Sequence, residues 1–283
     1  AASVGGNLTL TSGASTSGSN YAIMDSGTVT VGGNLIATTD DNDGVIDLGT
    51  LAVDGTMALT THGTGAATVV NDAGLNFAAS TVGGALSATA TTGNVAQSGA
   101  LTITGVTTIA ADSGNNITLS NTSNNFQAAV RITSGNNVTL VDAGAIDLGA
   151  STVSGTYAVT ATAGGDITDS GVLAITGTST FTVAGGQSVI LNESSTFSTV
   201  TFASAGTIAS VEINDSNALD LGTLTTTGNL TVTAGGNITD SGTVSVGGAL
   251  AVTTDASSGS IDLGDLEVNG TIALTTDTGG AAT

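Results

Sequence analysis

Twenty-two carboxylates share this chain with one arginine, Arg131, one histidine, His62, and no lysine or cysteine. Acid–base or nucleophilic chemistry would therefore have to come from the carboxylates or from His62. A hydroxyl nucleophile needs a base beside it. His62 is the only imidazole, and its counterpart in a second copy of the same stretch is Asp277. A catalytic role would exist in one copy and vanish from the other, so a surface substitution is the plainer reading. Asp40, Asp41 and Asp43, just before Gly44, have the look of a calcium loop. That loop, D-x-[DN]-x-[DN]-G followed by a glutamate, would need acids where Thr39 and Thr50 stand. Its copy DASSG (255–259) keeps one carboxylate, and GGNITD (235–240) lacks the middle glycine of calcium-binding β-roll repeats.

A third acidic pattern recurs in IDLG or LDLG: Asp47, Asp147, Asp220 and Asp262. Asp147 and Asp220 hold equivalent places in successive repeats. If one repeat were three coils of a solenoid, they would lie about 15 Å apart, beyond a Debye length of about 8 Å. The expected reading is a solvated face, with weak divalent-cation binding as the alternative. Arg131 sits in FQAAVRITSG, whose equivalent FSTVTFASAG places Thr201 or Phe202 there. An outward arginine beside a carboxylate is expected. No catalytic, cofactor-binding or metal-ligating residue is assigned, no cofactor is expected, and the expectation is that the chain is not an enzyme.

The elements that carry these residues are repeats. GTVTVGGNL (27–35) returns as GTVSVGGAL (242–250), and DGVIDLGTLAVDGTMALTTHGTGAAT (43–68) as SGSIDLGDLEVNGTIALTTDTGGAAT (258–283). Position 27 answers 242 and 68 answers 283, so the offset is constant from Gly27 onward. Upstream it is broken by a seven-residue insertion around Ser12 to Gly18. Within it lies a shorter period, about 72 long. GNVAQSGALTITG (93–105) recurs as GDITDSGVLAITG (165–177), and units open near Gly6, Gly84, Gly155 and Gly228. Glycine pairs 33/55, 155/177 and 248/270 mark a period of about 22 residues, the length of one solenoid coil. We expect residues 1–283 to be one continuous β-solenoid, a window of a longer array.

Inside a coil the apolar residues alternate strictly, the period of a strand with one buried face. Leu230/Val232, Ile238 and Val244/Val246 point inward, then Leu250/Val252, Ile261/Leu263 and Leu266/Val268, while Thr231, Asp240 and Ser245 point outward. Corners of Gly-Gly, Gly-Asn or Asp-Ser-Gly separate them, composed of residues that tolerate positive φ. There is no proline to cost a ladder its hydrogen bond. The expected fold is all-β: a parallel β-helix with three short strands per coil, about 22 residues per coil and roughly thirteen coils. With five phenylalanines and two tyrosines, a slim aliphatic core is expected rather than an aromatic one.

A net charge of −21 argues against nucleic acid and anionic membrane surfaces as partners. No apolar run approaches the length of a membrane-spanning helix, so no membrane insertion is expected. The absence of cysteine fits a chain stabilised by repetition. N-x-[ST] sequons at Asn7, Asn116, Asn237 and Asn269 follow from strand composition.

GNLTVTAGGNITDSG (228–242), SGALTITGVTTIAADSGNNITLSNTSNNFQAAV (98–130) and NNVTLVDAGAIDLGASTVSG (136–155) resemble the repeat region of large bacterial exoproteins of the filamentous-haemagglutinin type, secreted by the two-partner route. The resemblance implies a right-handed β-helical shaft at the bacterial cell surface or outside the cell, and transfers no binding residue. The expected function is a structural, non-catalytic shaft of a filamentous adhesin or fibre. The alternative is a subunit of a self-assembled extracellular filament or sheath. A lesser alternative is a repeated face for ice or polysaccharide, suggested by Thr9/Thr11, Thr28/Thr30 and Thr231/Thr233 but interrupted at Ala88/Ala90 and Ala158/Thr160. Expected partners are adjacent repeats, other copies end to end or side by side, and host or abiotic surfaces.

Overall fold

A computed structural model describes residues 1–12, 22–39, 42–255 and 258–283. Most of the insertion around Ser12 to Gly18, and both Asp40 and Asp41, lie outside the described residues. The described chain is an all-β parallel solenoid of about 12 turns and about 21 residues per coil, with no helix. It divides into two compact units, Ala1–Asp142 and Ala143–Thr283.

In the first unit a representative coil supplies strands Leu86–Ala90, Val95–Gln97 and Leu101–Ile103. Thr107 then restarts the first ladder beside Leu86, one coil on. In the second unit, Leu230–Ala234, Ile238–Asp240 and Val244–Val246 do the same before Leu250 settles on Leu230. Three strands per coil are the common pattern. Two places depart from this: Ile46–Val53 runs as one strand over two faces with a register shift between Leu48 and Leu51, and in the coil of Val189–Ser195 and Thr199–Ser204 the register shifts between Leu191 and Ser195 and the third face is reduced to single bridges.

The alternation read from the sequence is the observed burial pattern. Leu230, Val232, Ile238, Val244 and Val246 are sealed from solvent, and Asp240 and Ser245 sit on the outer side. Leu266 and Val268 are only half-buried. Like residues stack on like across coils: Val232 on Val252, Ile109 on Ile132, Ile238 on Ile261. Each such side chain contributes on the order of 1.5–3 kcal/mol gross. The expectation of an aliphatic core needs correction, because all five phenylalanines and Tyr157 are buried. In the second unit Phe181 meets Tyr157 and Phe197 edge-on at 6.2 and 6.1 Å and lies 6.1 Å from Phe202. Rings fit because register places Phe181 between Val159 and Phe202 on successive coils. Ring-edge contacts of this kind add about 0.5–1.5 kcal/mol each.

The sequence repeat is not a whole number of coils. In the second unit Ile167 lies on the ladder joining Ile146, Val189, Val211 and Leu230. Its repeat partner Ile238 lies on another, between Leu219 and Ile261. The first unit shows the same shift: Ile23 pairs with Ile46, whereas Val95, its partner one repeat later, stands between Leu75 and Ile117 on a different sheet. Equivalent residues therefore move to another face with each repeat. Asp147 and Asp220 are accordingly on different ladders, and not on one face three coils apart.

The corner glycines also work differently from expectation. Gly33/Gly55, Gly155/Gly177 and Gly248/Gly270 do stack, with Gly55 N–H donating to Gly33 O at 3.1 Å and Gly177 N–H to Gly155 O at 3.0 Å. None of these has positive φ. Glycine is required because the next corner is too close: a Cβ on Gly177 would sit 2.5 Å from Gly155 O. Positive φ is confined to other positions, including Gly63 and the non-glycine Asp43 at 56°. Gly177→Ala should therefore cost about 1–3 kcal/mol as an overpacked contact. Gly114→Ala, with nothing within 4 Å, should barely move the melting temperature. Equal losses in calorimetry would show that close approach is not what selects glycine.

Candidate functional site

Acids and amides at the coil corners are bonded from one coil to the next. The last residue of a short strand, or the residue just after it, recurs in IMDSG, VAQSG, ITDSG and ITDSG as Asp25, Gln97, Asp169 and Asp240, one to each sequence repeat. Each side chain accepts backbone N–H groups from the following coil. Asp25 takes Gly49 N–H at 3.2 Å and Thr50 N–H at 2.7 Å. Gln97 Oε1 takes Asn121 N–H at 3.3 Å. Asp169 takes Asn192 N–H at 2.9 Å and Glu193 N–H at 3.3 Å. Asp240 takes Gly264 N–H at 2.8 Å and Asp265 N–H at 3.2 Å. This clamp escaped the sequence reading, which saw in Asp240 only an outward residue. The signal was present: an acid or amide at one position of every repeat, immediately before Ser-Gly.

The IDLG aspartates receive hydroxyls. Asp147 Oδ2 accepts from Ser170 at 2.8 Å, Asp220 Oδ2 from Ser241 at 2.8 Å, and Asp262 Oδ1 from Thr283 at 3.0 Å. Asp47 is exposed, whereas Asp147 and Asp220 are half-buried, so a fully solvated face describes only part of the set. Corner asparagines form a further ladder. Asn34 N–H donates to Asn7 Oδ1 at 2.9 Å and Thr56 N–H to Asn34 Oδ1 at 2.9 Å. Asn116 Oδ1 and Asn237 Oδ1 likewise accept from Asn137 and Ser260. Three sequon asparagines thus brace corners.

A third recurring set is buried: Asn71, Asp142 and Asp215, each no more than 1 % exposed. Asn71 Oδ1 accepts from Val53 N–H at 2.8 Å, Asp142 Oδ2 from Phe126 N–H at 2.7 Å, and Asp215 Oδ2 from Phe197 N–H at 3.2 Å. Buried backbone donors must be paired, and here a side chain pairs them where the ladder is interrupted. Burial pushes the Asp215 carboxyl above the usual range, against the pull of N–H bonds from Asn217 and Phe197.

The remaining candidates separate. His62 is half-buried with its Nδ1 3.1 Å from the Thr39 carbonyl, and Arg131 projects outward beside Thr108. Asp43 Oδ1 is bonded by the Thr64 amide and hydroxyl one coil on. Among the described residues no three His, Cys, Asp or Glu side chains are grouped to hold a metal ion. What the arrangement does chemically is bind coil to coil.

Fold and corners together define a parallel β-solenoid repeat protein. The chain belongs to the family described as repeats of unknown function (DUF5649), matched over residues 64–133, 135–204 and 208–265. The matched spans begin at 64, 135 and 208, in the same steps that separate Gly84, Gly155 and Gly228. No curated protein and no solved structure matches the chain.

Asp215→Ala should cost about 1–3 kcal/mol by stranding the Phe197 N–H. Asp215→Asn, which installs the residue that Asn71 already is, should be as stable as the parent at pH 7 or more so. The sign follows from the raised carboxyl: a group held above its unfolded value opposes folding once it ionises. Chemical denaturation of both variants checks it, and equal losses would mean the amide is no substitute.

Proposed function

We propose that this chain is a length of non-catalytic structural shaft from a bacterial filamentous adhesin or surface fibre, exposed outside the cell. One observation carries the reading: residues of catalytic or ligand-binding type recur at coil corners, and there they are spent on bonds to a neighbouring coil. A solenoid built in this way sets length and stiffness, since each coil contacts its neighbours alone. The charge of −21 supports solubility and separation of long rods. The repeat motifs' resemblance to two-partner-secreted exoproteins supports placement at the cell surface.

A shaft outside the cell must survive proteases. Trypsin has one basic target, Arg131, and it lies inside strand Val130–Ser134 between the fully buried Val130 and Ile132. The native chain should resist trypsin, and the heat-unfolded chain should split into two fragments, 1–131 and 132–283. Cleavage of the native chain as fast as the unfolded one would exclude a continuous shaft.

A second reading rests on a row of hydroxyls. In the first unit Thr11, Thr38, Thr60, Thr81 and Thr102 follow one another in register on one ladder. The repeat-based reading missed this row because repeat partners change face. Threonines at strand spacing, about 4.8 Å, offer a regular surface to ice or polysaccharide. If ice is the ligand, the chain should show thermal hysteresis that Thr81→Tyr abolishes, and freezing like that of an inert protein rejects it.

A further inference from the structure

The clamp corner occurs in neutral and acidic versions. In the first unit it is built from Asn76, Gln97 and Asn121, with Phe77 in register with Gln97. In the second unit the equivalent corner is Asp147, Asp169 and Glu193, with Leu148 in register with Asp169. The neutral version shows what the corner can bind. Gln97 accepts through Oε1, from Asn121 N–H at 3.3 Å and Asn124 Nδ2 at 2.9 Å. It also donates through Nε2, to Gly99 O at 2.6 Å and Asn124 Oδ1 at 2.8 Å. An ionised Asp169 can only accept. In the acidic corner Asp147 Oδ1 is buried without a hydrogen-bond partner among the described residues, as is Asn76 Oδ1 at the matching place.

We propose that the Asp147–Asp169–Glu193 corner is a proton-operated latch: one proton taken from solvent by Asp169 turns an acceptor-only clamp into one that also donates, tightening this stretch of solenoid in mildly acidic surroundings. The groups acting on Asp169 are all acidic, Glu193 from the following coil and Asp147 from the preceding one, with no cation among them. Desolvation by burial pushes the Asp169 carboxyl up to about 6; the N–H bonds from Asn192 and Glu193 oppose the shift, and the two neighbouring carboxylates add to it. The folded chain then holds a proton that the unfolded chain has lost between its ordinary value of 3.8 and about 6. Stability from this group is full near the lower bound and is lost as pH rises through about 6.

The test is carboxyl carbon NMR of the full chain, with melting curves at pH 5 and pH 8 for the parent and for Asp169→Asn, which is permanently neutral. The expected midpoint for Asp169 is near 6, lowered in Glu193→Gln. Asp169→Asn should melt above the parent at pH 8 and should gain less on acidification. A midpoint near 4 in the parent overturns the latch, as does an undiminished pH 5 gain in Asp169→Asn. Should that variant fail to fold, the parent's midpoint and its shift in Glu193→Gln decide alone.

Discussion

The structure depends on one constraint: in a parallel solenoid each coil's backbone donors and acceptors are satisfied by the coils before and after it. A coil cannot change length freely without disturbing a ladder. Register steps nevertheless vary, from 19 residues between Ala67 and Leu86 to 23 between Thr107 and Val130, and corners absorb the variation. Where the ladder skips, as between Leu48 and Leu51 or Leu191 and Ser195, a side chain takes over. Asn71 serves the first place and Asp215 the second. The polar residues of this chain are distributed by that need.

The inside of the fold was legible because alternation and burial have the same period. Val232, Ile238 and Val244 could be assigned inward from spacing alone, and like-on-like stacking followed from the repeats. The corners were less legible. Gly177 was expected for its conformational freedom, yet it is selected by the nearness of Gly155 O, a distance that exists only between coils. The clamp residues Asp25, Asp169 and Asp240 were hidden for the same reason, since their partners lie one coil on and are backbone amides with no sequence signature. The buried aromatic cluster around Phe181 was missed because its rings, from Tyr157 to Phe202, meet only once register is fixed.

The sequence repeat and the structural repeat differ, and the difference shapes the surface. A repeat that begins at 64, 135 and 208, laid on coils of about 21 residues, carries each motif on by three coils and part of a fourth. The longer offset, from Gly27 to Gly242, changes face as well: Ile46 pairs with Ala67 in one long sheet, whereas Ile261 pairs with Ile238 in the other. Residues one repeat apart therefore face different neighbours. Divergence of Asn76/Gln97/Asn121 from Asp147/Asp169/Glu193 fits this account.

Carboxylates packed at corners without cations carry an electrostatic cost that the same residues' hydrogen bonds must offset. Asp25, Asp169 and Asp240 each hold two backbone N–H groups. Hydrogen bonds to a charged acceptor are worth roughly 1.5–3 kcal/mol each, against repulsion that salt screens at exposed sites. At Asp169 burial weighs most heavily in that balance and pushes the carboxyl up. One motif, repeated along a solenoid, thus places the same carboxylate clamp at successive corners, and at Asp169 burial raises its hold on a proton.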